Sequence, residues 1–263
     1  MIRALKAKML RRAPDPAVPP GLRIYAIGDI HGRSDLLDDV LARIASDDRS
    51  RGPAETHIVF LGDLIDRGPD SAGVVARLRD LSQAHDRVHL IMGNHEEMML
   101  AALDEQRGKS AAMRQFFKNG GRETLLSYGV EETDCPQTSL DELRQLAAAK
   151  VPADHLAMMR GMVPWVAFGD YLFVHAGVRP GVALEEQEEA DLRWIRAEFL
   201  RSRESHGRMV VHGHSIAESV EFQPNRIGVD TGAYASGRLS AVGLEGVERW
   251  VIVAEGTGHS AEG

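Results

Sequence analysis

The stretch VFLGDLIDRGPDSAG, residues 59–73, passes from an apolar run directly into two acids and an arginine. The run has the composition of a buried strand, and Asp63, Asp66 and Arg67 follow it at once. A helical pattern, SAGVVARLRDLSQA, begins at Ser71, three residues after Gly68. Buried charges need partners, so the stretch predicts a polar site at the end of a strand within a strand–helix unit.

Similar strand–helix units lie on either side of this one. RIYAIG (residues 23–28) and RVHLIMG (residues 87–93) are predicted strands, and each precedes a helical pattern. This order implies parallel strands with right-handed crossovers. Residues 98–165 are predicted to form a helical insertion, and the strands after it favour more antiparallel pairing. Those later strands are predicted within residues 165–177, 208–213, 226–230, 238–244 and 249–255.

The fold class predicted from this pattern is α/β, with two sheets and a helical insertion in one domain at residues 21–254. Residues 1–20 are basic and then proline-rich, and we expect them to form a flexible tail, as we do residues 255–263. The chain has 263 residues, 43% of them apolar, which is a globular composition. Cys135 is its only cysteine, so no internal disulfide and no thiolate cage can form.

Charge and hydropathy limit the possible partners. The formal net charge of −8 argues against a nucleic-acid-binding surface. The basic N-terminus lacks the apolar core of a signal peptide, and no run reaches the roughly 18 apolar residues of a membrane span. We therefore expect a cytoplasmic protein that contacts neither nucleic acid nor membrane.

Polar clusters follow five of the predicted strands: GDIHG (28–32), GDLIDRG (62–68), GNHEE (93–97), VHAG (174–177) and VHGHS (211–215). In open α/β sheets, ligands bind at the carboxyl ends of the strands. Each cluster alone is more typical of a turn, a cap or a core histidine, but five in succession indicate a shared site. Carboxylate, imidazole and amide donors together suit Mn²⁺, Fe or Zn²⁺ better than Ca²⁺.

As a set, these motifs resemble those of the binuclear metallophosphoesterases, and specifically the phosphoprotein phosphatase branch, the serine/threonine phosphatases of bacterial type. GHS stands where that family commonly has Gly-His-Thr. The resemblance spans residues 28–231, nearly the whole predicted domain. It implies a sandwich of two sheets flanked by helices in four layers, and a site that holds two divalent metal ions, with Mn²⁺ the first expectation and Fe or Zn²⁺ the alternatives.

The resemblance also implies roles for individual residues. The metal ligands it implies are Asp29, His31 and Asp63 for the first ion, and Asp63 again with Asn94, His175 and His214 for the second. The wider superfamily often ends in Gly-His-x-His, but Ile216 stands at that last position here, as expected for the phosphatase branch. We expect His212, which precedes the motif, to lie behind the ligands rather than to bind a metal.

For catalysis, the resemblance implies that Asp66 orients His95 as a general acid, and that Arg67 and Arg196 bind the substrate phosphate. Arg196 is assigned from LRWIRAEF, which is similar to the family's Trp-x-Arg segment; a helix-surface arginine is the alternative. The implied reaction is direct hydrolysis by a hydroxide that bridges the two metals, with no phosphoenzyme. The implied substrate is a phosphorylated protein or peptide, or a small phosphoester.

Other functions remain open on the same scaffold. The symmetrical dinucleoside tetraphosphatases share GDIHG, but they tend to lack the aspartate of IDRG and to carry aspartate after Gly-Asn-His. This chain has Asp66 and Glu96 at those positions, which favours a phosphomonoesterase over a diadenosine tetraphosphate hydrolase. A phosphodiesterase or nuclease is a further alternative. A non-catalytic phosphate-binding domain would be expected to have lost a metal ligand, and this sequence keeps all six.

Overall fold

The computed structural model describes residues 15–104, 110–131 and 139–256. Its strands are β1 (Leu22–Ile27), β2 (Glu55–Phe60), β3 (Val88–Leu90), β4 (Trp165–Phe168), β5 (Tyr171–Val174), β6 (Met209–His212), β7 (Glu221–Phe222), β8 (Arg226–Gly228), β9 (Arg238–Glu245) and β10 (Glu248–Glu255). The first three helices are α1 (Ser34–Ser50), α2 (Ser71–Ala84) and α3 (Asn94–Leu103). Further helices span Ser110–Phe116, Arg122–Ser127, Leu140–Lys150, Ala153–Arg160, Glu189–Trp194, Ala197–Arg201 and Ala233–Ser236.

The strands form two five-stranded sheets. The first has the order β10-β9-β1-β2-β3, and β1, β2 and β3 run parallel, as the early strand–helix units predict. The second has the order β4-β5-β6-β8-β7, with a parallel centre and an antiparallel strand at each edge. The carboxyl ends of β1, β2 and β3 therefore share one edge, and those of β5, β6 and β8 share another.

Alternating side chains distribute the apolar residues over three layers of core. In β1, Ile24 and Ala26 face the second sheet, while Tyr25 and Ile27 pack against α1, α2 and the insertion. The outer face of the second sheet packs against the helices that contain Leu192 and Phe199. Helices, sheet, sheet and helices thus make four layers, which confirms the predicted two-sheet α/β sandwich.

Within residues 98–165, the described segments are mostly helices joined by short turns, and the last of these residues, Trp165, begins β4. The chain kinks at Gly120, whose φ is 98°. Helix α2 begins and ends at the residues that the sequence pattern predicts. The sequence pattern ADLRWIRAEFLRS, residues 190–202, predicts one helical stretch. The structure has two short helices there instead, because the chain leaves helical geometry at Ile195 and Arg196. The two-residue strand β7 was too short to be predicted.

The two ends of the predicted domain are partly described. Val18 is 2% exposed and its N–H donates to the carbonyl of Gly246, so residue 18 of the predicted tail packs against the sandwich. Residues 1–14, Cys135 and residues 257–263 lie outside the described residues. Among the helices of the described segments, none is long and apolar enough to cross a membrane.

Candidate active site

The predicted site residues follow the carboxyl ends of strands from both sheets. Asp29 and Asp63 come two and three residues after β1 and β2, and Asn94 opens α3 just beyond β3. His175 follows β5 directly, and His214 lies two residues after β6. All five side chains are buried, with exposures between 0% and 5%. Stacking two sheets with their strand ends at one rim therefore brings together residues nearly two hundred positions apart.

Asp63 is the centre of this cluster. Ligand atoms of His31, Asp63 and His95 lie within 4.8 Å of one another, and so do those of Asp63, His175 and His214. The two groups share only Asp63, whose Oδ1 lies 3.4 Å from His175 Nε2 and whose Oδ2 lies 3.7 Å from His31 Nε2. One oxygen of Asp63 thus faces each group, which is the arrangement that a bridging ligand requires.

The imidazoles of His31, His175 and His214 point ring nitrogens into the site. His31 Nδ1 lies 2.7 Å from the Ile65 carbonyl, and His175 Nδ1 lies 2.8 Å from the Leu61 carbonyl, so each Nδ1–H donates away and each Nε2 faces the site. His214 Nε2 is buried without a hydrogen-bond partner among the described residues. Burial and the charge of His175 lower the pKa of His214 to about 2, so its ring is neutral. A hydrogen bond from Nδ1 to a backbone carbonyl, as in His31 and His175, is typical of metal-binding histidines.

Two acids of the site, Asp29 and Asp230, are destabilised in their charged forms. Burial raises the pKa of Asp29 well above its usual range, and the nearby charges of Asp230 and Asp63 raise it further. The pKa of Asp230 is likewise raised, to about 6, chiefly by burial. Asp29 accepts hydrogen bonds from the His214 N–H at 3.1 and 3.0 Å. Divalent cations would relieve this repulsion, so the donor set fits the two metal ions that the motifs imply.

His95, Asp66 and Arg67 form a hydrogen-bonded cluster beside the predicted metal ligands. His95 Nδ1 lies 2.6 Å from Asp66 Oδ2, and both side chains are buried. Burial disfavours the charged imidazole, but the carboxylates of Asp63 and Asp66 outweigh it and raise the pKa of His95. The Arg67 guanidinium donates to His31 Nε2 and to His95 Nε2, both at 3.0 Å. The Arg67 guanidinium therefore lies where it could bind an anion placed beside both histidines.

The helical insertion makes hydrogen bonds to the cluster of His95, Asp66 and Arg67, and these bonds could not be predicted from the sequence. Thr124 Oγ1 donates to Asp66 Oδ1 at 2.6 Å and accepts from the Asp66 N–H at 2.9 Å. Ser71 Oγ accepts from the same N–H at 3.0 Å. The Arg67 N–H donates to the Gly120 carbonyl at 3.0 Å, at the kink of the insertion. Residues 98–165 therefore help to position Asp66, which orients the predicted general acid His95, and Arg67, the predicted phosphate-binding residue.

Glu96 has a structural role that its place in GNHEE did not indicate. Its Oε2 accepts from the N–H groups of Asp63 and Gly93, both at 3.0 Å, and its Oε1 accepts from the Leu64 N–H at 2.7 Å. Burial and the charge of Asp63 raise its pKa to about 7. This fully buried carboxyl fixes the turn that presents Asp63.

Arg196 and Tyr234 lie at the rim of the site. Arg196 is exposed, at the break between two helices, and its charge is close enough to His214 to contribute to that residue's lowered pKa. The Arg67 guanidinium carbon lies 4.8 Å above the Tyr234 ring, which also meets His31 edge-on at 5.3 Å. Tyr234 was not predictable from the sequence, because nothing local distinguishes it from a loop tyrosine.

His212 faces away from the cluster. It alternates with Val211 along β6, its ring meets Phe199 edge-on at 5.0 Å, and its Nδ1 lies 2.9 Å from the Gly213 carbonyl. Burial lowers its pKa to about 4. It belongs to neither group of candidate metal-binding residues found in the described part of the chain.

Backbone strain is concentrated at the site. Among the described residues, the non-glycine positions with positive φ are His31, Asp63, Asp66, Arg67 and His214. This region is costly for residues with a Cβ and persists only where the surroundings enforce it. All five are site residues that the sequence motifs predict, so the backbone strain and the motifs indicate the same place.

Comparison with known proteins agrees with this geometry. The family model for calcineurin-like phosphoesterases matches residues 22–234. A symmetrical bis(5'-nucleosyl)-tetraphosphatase of Acidovorax sp. (strain JS42) is 32% identical over 165 residues, which cover 63% of this chain and 47% of that protein. Serine/threonine-protein phosphatase 1 of Salmonella typhimurium is 26% identical over 234 residues, covering 84% of this chain and 92% of that protein.

Among solved structures, a protein proposed to be a diadenosine tetraphosphatase superposes with a TM-score of 0.59 at 21% identity. The match covers 91% of this chain and 98% of that one. At this level of identity the likeness concerns the fold. The chain spans less than half of the Acidovorax relative, so its substrate has to be argued from its own site.

Proposed function

The chain belongs to the calcineurin-like phosphoesterase family, and on that premise we propose that it is a metal-dependent phosphatase of phosphate monoesters. Phosphoserine and phosphothreonine side chains of proteins are the proposed substrates. The observation that carries this proposal is the buried Asp66–His95 pair at 2.6 Å, with Arg67 against it. A monoester of serine has a poor leaving group, and this pair supplies the acid that such a leaving group needs.

We propose that Asp29, His31 and Asp63 hold one divalent ion and that Asp63, Asn94, His175 and His214 hold the other, with Mn²⁺ as the native metal. Two observations support this assignment: His214 Nε2 is buried with no hydrogen-bond partner in the described part of the chain, and the pKa of Asp29 is raised. The chemistry that such a pair of ions supplies is Lewis-acid activation of the phosphoryl group and a lowered pKa for the attacking water.

Arg67 is proposed to bind the phosphate. Its guanidinium is always charged, and its fork of N–H groups matches two phosphate oxygens at once. In the structure those N–H groups donate to His31 and His95. A bound phosphate would accept these hydrogen bonds in place of the two histidines. Tyr234 beneath the guanidinium limits where the fork can point. Arg196, whose charge reaches His214, is proposed as the second phosphate-binding group.

His95 is proposed to protonate the leaving oxygen through Nε2. Once a phosphate accepts the Arg67 donors, this nitrogen no longer accepts a hydrogen bond from Arg67. Asp66 holds Nδ1–H, which orients the ring and stabilises its charged form. Direct attack by water accounts for the reaction, so no phosphoenzyme is proposed.

A second candidate is hydrolysis of diadenosine tetraphosphate, which the name of the Acidovorax relative favours. The test is one panel under Mn²⁺: phosphoserine, phosphothreonine and phosphotyrosine peptides, diadenosine tetraphosphate, and an aryl phosphodiester. We expect the highest kcat/KM for the phosphoserine or phosphothreonine peptide. A kcat/KM for diadenosine tetraphosphate well above that of every peptide would replace our proposal by the second candidate.

A further inference from the structure

Glu97, the second glutamate of GNHEE, joins two elements that lie almost a hundred residues apart. Its Oε1 accepts from Arg193 Nη2 at 2.9 Å, and its Oε2 accepts from Trp194 Nε1 at 2.7 Å. One carboxylate therefore holds two neighbouring side chains of the helix Glu189–Trp194. Because the two acceptor oxygens are fixed relative to each other, this contact restricts both the distance and the rotation of that helix.

Each of the joined elements carries a residue of the proposed mechanism. Glu97 lies in the first turns of α3, two residues after His95. Trp194 ends the other helix, two residues before Arg196. The chain between Trp194 and Arg196 has little freedom, since Ile195 is only 7% exposed and packs into the core beside the second sheet.

Other hydrogen bonds also hold the helix Glu189–Trp194, but none of them reaches α3 among the described residues. Arg179 donates to both carboxylate oxygens of Asp191 at 2.6 Å, from the loop after His175. The Ala176 N–H donates to the Leu192 carbonyl at 2.8 Å, which ties the middle of the helix to the segment after His175. Glu189 also pairs with Arg193, at 2.9 Å, but within the same helix. Among the side-chain hydrogen bonds of the described residues, those of Glu97 are the ones that connect this helix to α3.

We propose that Glu97 is a positioning residue that sets the place of Arg196 relative to His95 and Arg67. By holding Arg193 and Trp194 together, it fixes the point at which the chain leaves the helix and turns toward the site. This inference rests on the proposed function, because it assigns Arg196 to phosphate binding. Glu97 itself touches neither the phosphate nor the metal ligands.

The test is a double-mutant cycle between Glu97 and Arg196 in the full chain loaded with Mn²⁺. Glu97→Ala, Arg196→Ala and the double variant are assayed with an aryl phosphate, and the inhibition constant of inorganic phosphate is measured for each. Since small displacements of a binding group can be costly, we expect Glu97→Ala to lower kcat/KM and weaken phosphate inhibition by roughly tenfold or more. In the Arg196→Ala background, we expect the same change to have almost no further effect.

Two further variants keep the result interpretable. Glu189→Gln removes the other carboxylate from Arg193 but leaves the link to α3. We expect this variant to have the kcat/KM and the phosphate inhibition constant of the wild type. Glu97→Gln keeps the shape of the side chain and one acceptor oxygen, and we expect a smaller loss than with alanine. Thermal unfolding of every variant separates misfolding from misplacement.

The proposal is overturned if the effects of Glu97→Ala and Arg196→Ala multiply in the double variant, or if Glu97→Ala leaves phosphate inhibition unchanged. Equal losses in Glu189→Gln and Glu97→Ala would also overturn it. A failure of the proposed function is a different result, because it would be seen as wild-type protein that hydrolyses no phosphopeptide while the cycle on the aryl phosphate still gives its answer.

Discussion

His95 Nδ1 and Asp66 Oδ2 are 2.6 Å apart, and neither side chain is more than 1% exposed. A buried carboxylate at this distance keeps the proton on Nδ1 and turns Nε2 toward Asp63 and Arg67. The pair therefore fixes which ring nitrogen can deliver a proton to a substrate bound at Arg67.

Replacing His95 by asparagine tests this acid directly. We expect His95→Asn to lower kcat for a phosphoserine peptide by ~10²–10⁴-fold, the usual range for general acid catalysis. The loss for 4-nitrophenyl phosphate should be much smaller, because nitrophenolate leaves without a proton. Steady-state assays on both substrates give the comparison. Equal losses on the two substrates would show that His95 is not the acid.

Thr124 should matter for catalysis although it lies in the insertion. Thr124→Val keeps the shape of the side chain but removes the hydroxyl that donates to Asp66 Oδ1. Leaving a buried carboxylate oxygen without that donor costs about 1–3 kcal/mol, and we expect a fall in kcat for the phosphoserine peptide of ~10-fold or more. Thr124→Ser restores the hydroxyl and should recover most of the activity. A Thr124→Val enzyme with wild-type kcat would separate the insertion from catalysis.

The sequence predicted the residues proposed to bind the metals better than the residues that hold the site in place. Asp29, Asp63 and His175 were predictable because each follows a recognisable strand, and parallel strands place their carboxyl ends together. Thr124 and Glu97 were not, because each meets its partner only after a long chain segment has folded back. The break at Arg196 was also missed, since the apolar spacing on either side of it is compatible with one continuous helix.

A side chain at Gly120 should disturb the site, because it would collide with Arg67. A Cβ at Gly120 would lie 2.7 Å from Arg67 Cγ and 2.8 Å from its backbone nitrogen. Gly129 is a matched control, since its φ is 82° and its Cβ would meet nothing within 4 Å. Both alanine variants carry the left-handed backbone cost of roughly 1–2 kcal/mol. We expect Gly120→Ala to lose phosphate affinity in addition, measured as the inhibition constant of inorganic phosphate, and equal affinity in the two variants would contradict this account.

Asp47 gives a pH-dependent contribution to stability away from the site. Burial opposes its ionised form, but hydrogen bonds from Tyr25, Arg51 and Trp250 outweigh burial and lower its pKa below the ordinary 3.8. A lowered folded-state pKa stabilises the protein above the unfolded value, and this contribution disappears as the pH falls through the folded value.

Asp47→Asn should therefore lower the free energy of unfolding at pH 7 by about 1–3 kcal/mol. The difference from the wild type should begin to shrink below about pH 4, where Asp47 of the unfolded chain becomes protonated, and should disappear once the pH falls through the lower pKa of the folded carboxylate. Urea unfolding at a series of pH values measures it. Asp39→Asn, which breaks only an exposed pair with Arg43, is the control and should change little. A difference that stays constant down to acid pH would exclude the charge of Asp47 as the cause.

The central claim is that Asp63 joins two cation sites, and an anomalous difference map from crystals grown with Mn²⁺ tests it most directly. We predict two peaks, one within coordination distance of each Asp63 carboxylate oxygen, the first also meeting His31 and the second also meeting His175 and His214. A single peak, or two peaks that do not share Asp63, would contradict the account.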